Sequence, residues 1–139
     1  MSSEQNKFIV LQAYEAFDCG DIAKGKAFIS PDITGCVMGG HQLQGINAFF
    51  KYALKMHDAF PDGRHTFADV IAEGDQVVTR GTFRGTHLKE IMGIASTGKQ
   101  VIFSVVHIDR IVDGKVVEHW GQADMMALMQ QLGIVSSLS

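Results

Sequence analysis

The spacing of hydrophobic and polar residues changes near the middle of the chain. Before residue 61, apolar side chains recur every three or four positions, which is typical of helices that bury one face. The glycine-rich stretch 33–44 interrupts this spacing and is expected to form only a short, irregular strand. The pattern therefore predicts three helices, over residues 4–18, 22–28 and 46–60.

From residue 65 onward the period becomes two, which is typical of strands with one buried face. A short helix ending at Gly133 follows the last strand. This order predicts an α+β fold, with three N-terminal helices packed on a strongly curved mixed or antiparallel sheet. Helices on the concave side of such a sheet leave an internal pocket, a common place for a small-molecule site. The predicted strands cover residues 65–73, 76–86, 100–112 and 115–123.

Length and composition favour a single domain over residues 1–139, with 46% hydrophobic and 19% charged residues. The net charge of −3 and the lack of a basic block argue against a nucleic-acid partner. Cys19 and Cys36 have no metal-ligand spacing, so we expect free thiols in a reducing compartment. The polar start is unlike a signal peptide, and no apolar run reaches the ~20 residues of a membrane span. We therefore expect a cytoplasmic protein without a membrane partner.

The last predicted hairpin carries several residues capable of chemistry, and its register decides which of them share a face. With a two-residue turn at Asp113-Gly114, His107 would lie opposite Trp120. With a three-residue loop, His107 would lie opposite His119, and Gly121 would share the face of His107. The hydrophobic pattern alone permits both registers.

Two histidines and one aspartate are the candidate catalytic residues. His107 lies mid-strand between apolar neighbours, where a histidine is either a hydrogen-bonded core residue or an acid/base group facing a pocket. His119 fits a solvated strand position equally well, and two histidines without a matched third ligand predict no metal site. Asp124 directly precedes the final helix, so a capping role worth about 1 kcal/mol is favoured over direct catalysis.

Several short motifs, taken together, resemble the SnoaL-like polyketide cyclases, a branch of the nuclear transport factor 2-like superfamily. The resemblance covers nearly the whole chain and is densest after residue 75. It implies a cone-shaped barrel with an internal hydrophobic pocket, and homodimers or homotetramers formed through the outer face of the sheet. The motifs are Phe60-Pro61-Asp62, Gly85-Thr86-His87, Thr97-Gly98-Lys99, His107 with Arg110, Asp113-Gly114-Lys115, Glu118-His119-Trp120, Asp124 and Gln131-Leu132-Gly133.

The resemblance also implies a reaction, which is ring closure by intramolecular aldol condensation without metal or cofactor. In that reaction an aspartate removes an activated proton next to an ester and a ketone carbonyl, and a neighbouring histidine assists. The histidine matches His107, but Gly121 occupies the position of the aspartate, and glycine cannot move a proton. A family asparagine falls near Gly35, which also lacks a side chain.

A pocket that contains both His107 and position 121, as the resemblance implies, favours the three-residue hairpin loop, which places Trp120 on the outer face. An apolar stripe there needs burial and predicts an oligomer interface. Besides the candidate catalytic residues, the pocket is expected to include Tyr14, Phe17, Gly35, Phe50, Phe60, Phe103, Val105 and Gly121.

The sequence therefore predicts proton transfer on a small hydrophobic carbonyl or ester compound, without a cofactor. A second hypothesis is a non-catalytic binding protein of the same fold, which the glycine at position 121 favours. A third is an isomerase or epoxide hydrolase, which would need both Asp124 and Arg80 to reach the pocket.

Overall fold

A computed structural model describes residues 2–136, which form four helices and six strands. The long strands and all four helices lie close to the positions that the hydrophobic periodicity predicts. The helices are α1 (Ser3–Cys19), α2 (Ile22–Phe28), α3 (Ile46–Ala59) and α4 (Met125–Gln131). The strands are β1 (Ile29–Val37), β2 (His41–Gln44), β3 (Arg64–Glu73), β4 (Gln76–Thr86), β5 (Gln100–Val112) and β6 (Lys115–Ala123).

Local side-chain and backbone features set both ends of α1. The Ser2 hydroxyl accepts a hydrogen bond from the Gln5 backbone N–H, and the Gln5 side chain accepts one from the Ser2 N–H. This capping box satisfies two backbone donors that a helix start leaves free. At the other end Gly20 adopts a left-handed conformation with φ 67°, which ends the helix. None of the described helices is long and apolar enough to cross a membrane.

The stretch 33–44 differs from its prediction, because it belongs to a regular hairpin rather than to a short irregular strand. β1 pairs antiparallel with β2 and parallel with β6, where Gly35 lies opposite His119. A Cβ atom on Gly35 would lie 1.7 Å from the carbonyl oxygen of His119. The glycine that weakened the strand prediction is therefore what lets β1 approach β6.

The six strands form one mixed sheet in the order β2-β1-β6-β5-β4-β3. Adjacent strands of this sheet are antiparallel, except for the parallel pair β1–β6. The predicted α+β fold is confirmed, although β2 and β3 remain as edges and the sheet does not close into a complete barrel. Register shifts interrupt the β1–β6, β3–β4 and β5–β6 pairs, and such bulges bend strands and promote curvature.

The β5–β6 hairpin turns through two residues, so the predicted three-residue loop is wrong. Val112 pairs with Lys115, and Asp113 and Gly114 between them have φ values of 51° and 78°. Positive φ at both central residues is the signature of the tight turn that fits the twist of antiparallel strands, and Asp-Gly is a preferred sequence for it.

A bulge just beyond this turn then shifts the pairing by one residue. Ile111 pairs with Val116, but Arg110 pairs with Glu118, which leaves Val117 without a partner in the β5–β6 ladder. From there His107 lies opposite Gly121, rather than opposite His119 or Trp120. His107 and Gly121 therefore lie on the inner face of the sheet and Trp120, 49% exposed, lies on the outer face. These are the predicted faces, although the bulge produces them instead of a three-residue loop.

The helices and the inner face of the sheet enclose two clusters of buried apolar side chains. One contains Phe60, which is almost fully buried and packs edge-on against Phe83 with 5.6 Å between ring centroids. The other contains Val10 and Tyr14 of α1 together with Ile111 and Val116 of the hairpin. Both clusters hold α1 and α3 against the sheet and leave a cavity between the layers.

Replacing Phe60 with alanine should lower the free energy of unfolding by about 3–5 kcal/mol, because it removes a buried aromatic ring and leaves a void. Urea denaturation monitored by circular dichroism measures this change. Phe8→Ala is the matched control, since Phe8 is more than half exposed and its loss should cost less than about 1 kcal/mol. Equal losses in the two variants would contradict the assignment of Phe60 to the core.

Candidate functional site

A largely apolar cavity lies between α1, α2 and α3 and the inner face of the sheet. Aromatic and aliphatic side chains form most of its wall. Five polar residues of the wall lie next to one another, beside the middle of β5 and β6, and these are Tyr14, His65, His107, Asp109 and His119. The cavity contains six of the eight predicted pocket residues, namely Tyr14, Phe17, Phe50, Phe103, Val105 and Gly121.

Two predicted pocket residues lie elsewhere. Phe60 packs in the core against Phe83 and lies 5.6 Å from the ring of His87, outside the cavity wall. Gly35 is also absent from the wall, because its position serves the close approach of β1 to β6. Phe60 was assigned from its position on the apolar side of a predicted helix and Gly35 from the family resemblance, and neither reveals which side of an element faces the cavity.

Asp124 does not line the cavity. Its exposed carboxylate accepts a hydrogen bond of 2.9 Å from the Ala127 backbone N–H and caps α4. Arg80 is likewise outside the cavity wall and bonds Asp69 through its Nε atom at 2.6 Å. The two residues needed for the isomerase or epoxide hydrolase hypothesis therefore lie outside the cavity wall, and Asp124 has the capping role that the sequence favoured over direct catalysis.

His107 lies at the centre of the polar end of the cavity. Its ring stacks on Tyr14 with centroids 5.0 Å apart, and the rings of His65 and His119 lie at 5.5 and 5.3 Å. The side chain is only 9% exposed, and neither ring nitrogen has a hydrogen-bond partner among the described residues. Burial, followed by the nearby charges of His119 and His65, lowers the pKa of His107 to about 2. His107 is therefore neutral at physiological pH.

A buried carboxylate holds His119 in one orientation. Asp109 and His119 are directly opposite on β5 and β6, and Asp109 Oδ1 lies 2.7 Å from His119 Nδ1. The Tyr14 hydroxyl donates a 2.9 Å hydrogen bond to the other oxygen, Oδ2. Burial and the charge of Asp109 raise the pKa of Tyr14 well above its ordinary value of 10, so this donor keeps its proton. The carboxylate orients the imidazole with Nδ1 toward Asp109, which leaves Nε2 on the opposite side of the ring.

A second carboxylate–histidine pair lies on the other side of His107. Asp18, near the end of α1, accepts a 2.8 Å hydrogen bond from the backbone N–H of His65. Its other oxygen lies 2.7 Å from His65 Nδ1, and both side chains are largely buried. This pair binds α1 to the edge strand β3 and places the His65 ring in the cavity wall.

Gly121 lies in close contact with two of the histidines. A Cβ atom built on this residue would lie 3.0 Å from His119 Nε2 and 3.1 Å from His107 Nδ1. These distances are shorter than a Cβ atom normally makes, so any side chain at position 121 would crowd both rings. Gly121 and both histidines line the apolar cavity, but protein atoms cover the two ring nitrogens of His107 almost completely.

Sequence reasoning missed Asp109, Asp18 and His65. Asp109 could have been found from the alternation of β5. It occupies one of the inward-facing positions of this strand, and the neighbouring inward-facing positions are apolar or His107. A carboxylate at such a position is rarely buried without a partner. Asp18 and His65 gave no comparable signal, since their pairing depends on how α1 packs against β3.

The amino-acid sequence matches a family model described as SnoaL-like polyketide cyclase, over residues 8–132. Among characterised proteins, the chain is similar to the aklanonic acid methyl ester cyclase DnrD of Streptomyces peucetius. The two are 27% identical over 128 residues, which cover 90% of this chain and 88% of DnrD.

Solved structures resemble the whole fold. AclR from Streptomyces galilaeus, a proposed hydroxylase, is 31% identical with a TM-score of 0.85, over 99% of this chain and 87% of AclR. IdmH from Streptomyces antibioticus, a proposed polyketide cyclase, is 30% identical with a TM-score of 0.81, over 93% of this chain and 99% of IdmH. Similar backbones thus carry different proposed reactions, and the side chains in the cavity must distinguish them.

The buried, neutral state of His107 predicts a specific loss of stability in acid. Below pH 6.5 the unfolded chain binds a proton at this residue, whereas the folded protein does not until about pH 2. The free energy of unfolding should therefore fall by up to about 1.4 kcal/mol for each pH unit below 6.5. Urea denaturation between pH 7 and about pH 5 should show a shallower decline for His107→Phe. The control His41→Phe changes an exposed histidine, and parallel curves for wild type and His107→Phe would contradict the prediction.

Proposed function

This chain belongs to the SnoaL-like polyketide cyclase family, and we propose that it catalyses cofactor-free proton transfer and intramolecular aldol ring closure on a hydrophobic carbonyl compound. One observation carries the proposal, which is the Asp109–His119 pair beside Gly121 in the wall of the apolar cavity. The pair supplies a base at the site where the family resemblance implies an aspartate. The name of the relative DnrD supports an ester-bearing compound as the substrate class.

His119 is the proposed base. Asp109 holds the Nδ1 side of the ring, so Nε2 is free to take a proton from the activated carbon between an ester and a ketone. The resulting enolate carbon attacks a second ketone carbonyl of the same molecule and forms the new carbon–carbon bond. The alkoxide that results takes the proton back from His119 Nε2. The same group thus acts as base and then as acid, and no atom is left over.

His107 is the proposed hydrogen-bond donor to the carbonyl oxygen rather than the base. A pKa of about 2 makes its neutral ring a poor proton acceptor near pH 7, but its N–H can donate once the ring turns toward a bound ligand, since protein atoms otherwise cover both ring nitrogens. A donor in a buried, largely apolar cavity stabilises the negative charge that develops on an enolate oxygen more than it would in water. The two histidines therefore take separate roles, although only 5.3 Å separates their ring centroids.

A second candidate function is ligand binding without chemistry, and Gly121 is the observation that favours it. Loss of the family's aspartate leaves the apolar cavity intact while it removes the expected catalytic carboxylate. In such a protein the histidine cluster would serve recognition alone. Measured proton transfer separates this function from catalysis.

Deuterium exchange at the activated α-carbon of aromatic β-keto esters, followed by NMR, tests the proposed reaction. Wild-type protein should accelerate exchange, and His119→Gln should slow it by about 100-fold because the base is lost. The control His41→Gln changes an exposed histidine and should exchange at the wild-type rate. Exchange that persists in His119→Gln would contradict the role of His119, and a silent wild type would favour the binding function.

Asp109→Asn tests whether the carboxylate positions His119. The amide should weaken the orienting hydrogen bond and slow exchange, and it should also move the pH at which the rate reaches half its maximum. A purely structural role would lower the amount of folded protein without moving the pH profile. Asp69→Asn is the matched control, since Asp69 lies outside the cavity in an exposed ion pair with Arg80. An unchanged profile in Asp109→Asn would contradict the positioning role.

We also propose that the outer face of the β5–β6 hairpin forms a homodimer or homotetramer interface. Ile102, Val106, Ile108 and Trp120 expose apolar surface there, and a continuous apolar patch usually marks a contact surface. Trp120→Glu should convert the oligomer to monomers, as measured by size-exclusion chromatography with light scattering. Phe8→Glu, an exposed position on α1, is the control and should keep the wild-type mass. A monomeric wild type would contradict the interface.

A further inference from the structure

A tyrosine of α1 contacts the Asp109–His119 pair of the sheet. The Tyr14 hydroxyl donates a 2.9 Å hydrogen bond to Asp109 Oδ2, while Oδ1 of the same carboxylate lies 2.7 Å from His119 Nδ1. We propose that Tyr14 is a positioning residue that limits how strongly the Asp109–His119 pair holds a proton. The inference rests on the proposed role of His119 as the base, but proton uptake by the pair can be measured without any reaction.

The carboxylate of Asp109 depends on few partners for its stabilisation. Its side chain is only 4% exposed, so water contributes little to its solvation. Within the described residues, its side-chain hydrogen-bond partners are Tyr14 on one oxygen and His119 on the other. Hydrogen bonds to a charged group are stronger than those between neutral groups. The Tyr14 hydroxyl therefore supplies a large part of the stabilisation of this buried charge.

The surroundings of Tyr14 keep its hydroxyl a donor and hold it in place. Burial, followed by the charge of Asp109, raises the pKa of Tyr14 well above its ordinary value of 10. The ring stacks on His107 and packs edge-on against Phe67, with 5.0 Å between ring centroids in both contacts. The hydroxyl therefore reaches the carboxylate from a ring that the core fixes, and it keeps its proton near neutral pH.

The other groups around the pair come from β5, β3, α1 and α3. His107 on β5 is neutral, because burial lowers its pKa to about 2. On the other side of His107, His65 of β3 and Asp18 of α1 lie 2.7 Å apart and bind each other. From α3, the uncharged ring of Phe49 lies edge-on to the pair's histidine at 6.2 Å. No hydrogen bond joins these described groups to the pair's carboxylate, so the tyrosine hydroxyl is the neighbour that acts on it directly.

Electrostatics gives the direction of the effect. Without the Tyr14 hydroxyl, the negative charge of Asp109 is less well stabilised and attracts a proton more strongly. The added proton resides on His119 or on Asp109, and in either place the pair keeps it to a higher pH. Asp109→Asn acts in the opposite direction, because it removes the negative charge and so weakens proton uptake. A change of opposite sign in the two variants is not expected from structural disturbance alone.

Deuterium exchange measured over a series of pH values tests this inference in Tyr14→Phe, which keeps the stacked ring and removes only the hydroxyl. The pH of half-maximal exchange should rise by about one unit, the size expected for one hydrogen bond to a charged group. In Asp109→Asn the same midpoint should fall. Tyr52→Phe is the matched control, because it removes another tyrosine hydroxyl of the cavity wall, and its midpoint should equal that of wild type. An unchanged or lower midpoint in Tyr14→Phe would overturn the inference.

A second measurement needs neither substrate nor catalysis. NMR of protein labelled with ¹⁵N at histidine follows proton uptake at His119, whose midpoint should rise in Tyr14→Phe and fall in Asp109→Asn. Fluorotyrosine incorporated into Tyr52→Phe places the label at Tyr14 alone and keeps the side chain, so it serves if Tyr14→Phe does not fold. Its more acidic hydroxyl is a stronger donor and should lower the midpoint.

The two measurements separate this inference from the proposed function. A wild type that catalyses no exchange but shows the expected NMR midpoints would contradict the proposed reaction and leave the role of Tyr14 intact. Normal exchange with the same midpoint in wild type, Tyr14→Phe and the fluorotyrosine protein would overturn the role of Tyr14 alone.

Discussion

The arrangement of the site depends on the register between β5 and β6. The bulge at Val117 moves the pairing by one residue, so that Asp109 faces His119 and His107 faces Gly121. Without this shift the two-residue turn would turn His119 and Gly121 toward the outer face, because a one-residue slip exchanges the two faces of a strand. One extra residue in a strand therefore brings Asp109, both histidines and Gly121 onto the same face of the hairpin.

Much of the fold follows from the sequence, whereas the site does so only in part. Strand and helix positions can be predicted because burial of one face imposes a period of two or of about four on the apolar residues. The register between β5 and β6 cannot be predicted in the same way. Asp113-Gly114 indicates the turn, but nothing in the composition of β6 marks Val117 as the bulged residue. The Asp109–His119 pair could not be predicted for this reason, although His107 and His119 were candidates individually.

Pairing with carboxylates divides the three cavity histidines into two kinds. His65 and His119 each have a buried aspartate 2.7 Å from Nδ1, whereas His107 between them has no such partner among the described residues. Burial lowers the pKa of His107 to about 2 and keeps its ring neutral. Three identical side chains in one cavity thus have different surroundings, and the difference comes from aspartates on α1 and β5.

Position 121 separates this chain from the pattern that the family resemblance implies. That pattern has a carboxylate on β6, whereas this chain has the carboxylate of Asp109 on β5, which in the proposed reaction acts through His119. A Cβ atom at position 121 would lie only 3.0 Å from His119 Nε2 and 3.1 Å from His107 Nδ1, so an aspartate there would displace at least one of the two rings. The glycine and the Asp109–His119 pair therefore belong together. The glycine lets both imidazole rings pack closely against β6, and the pair supplies the proposed proton acceptor.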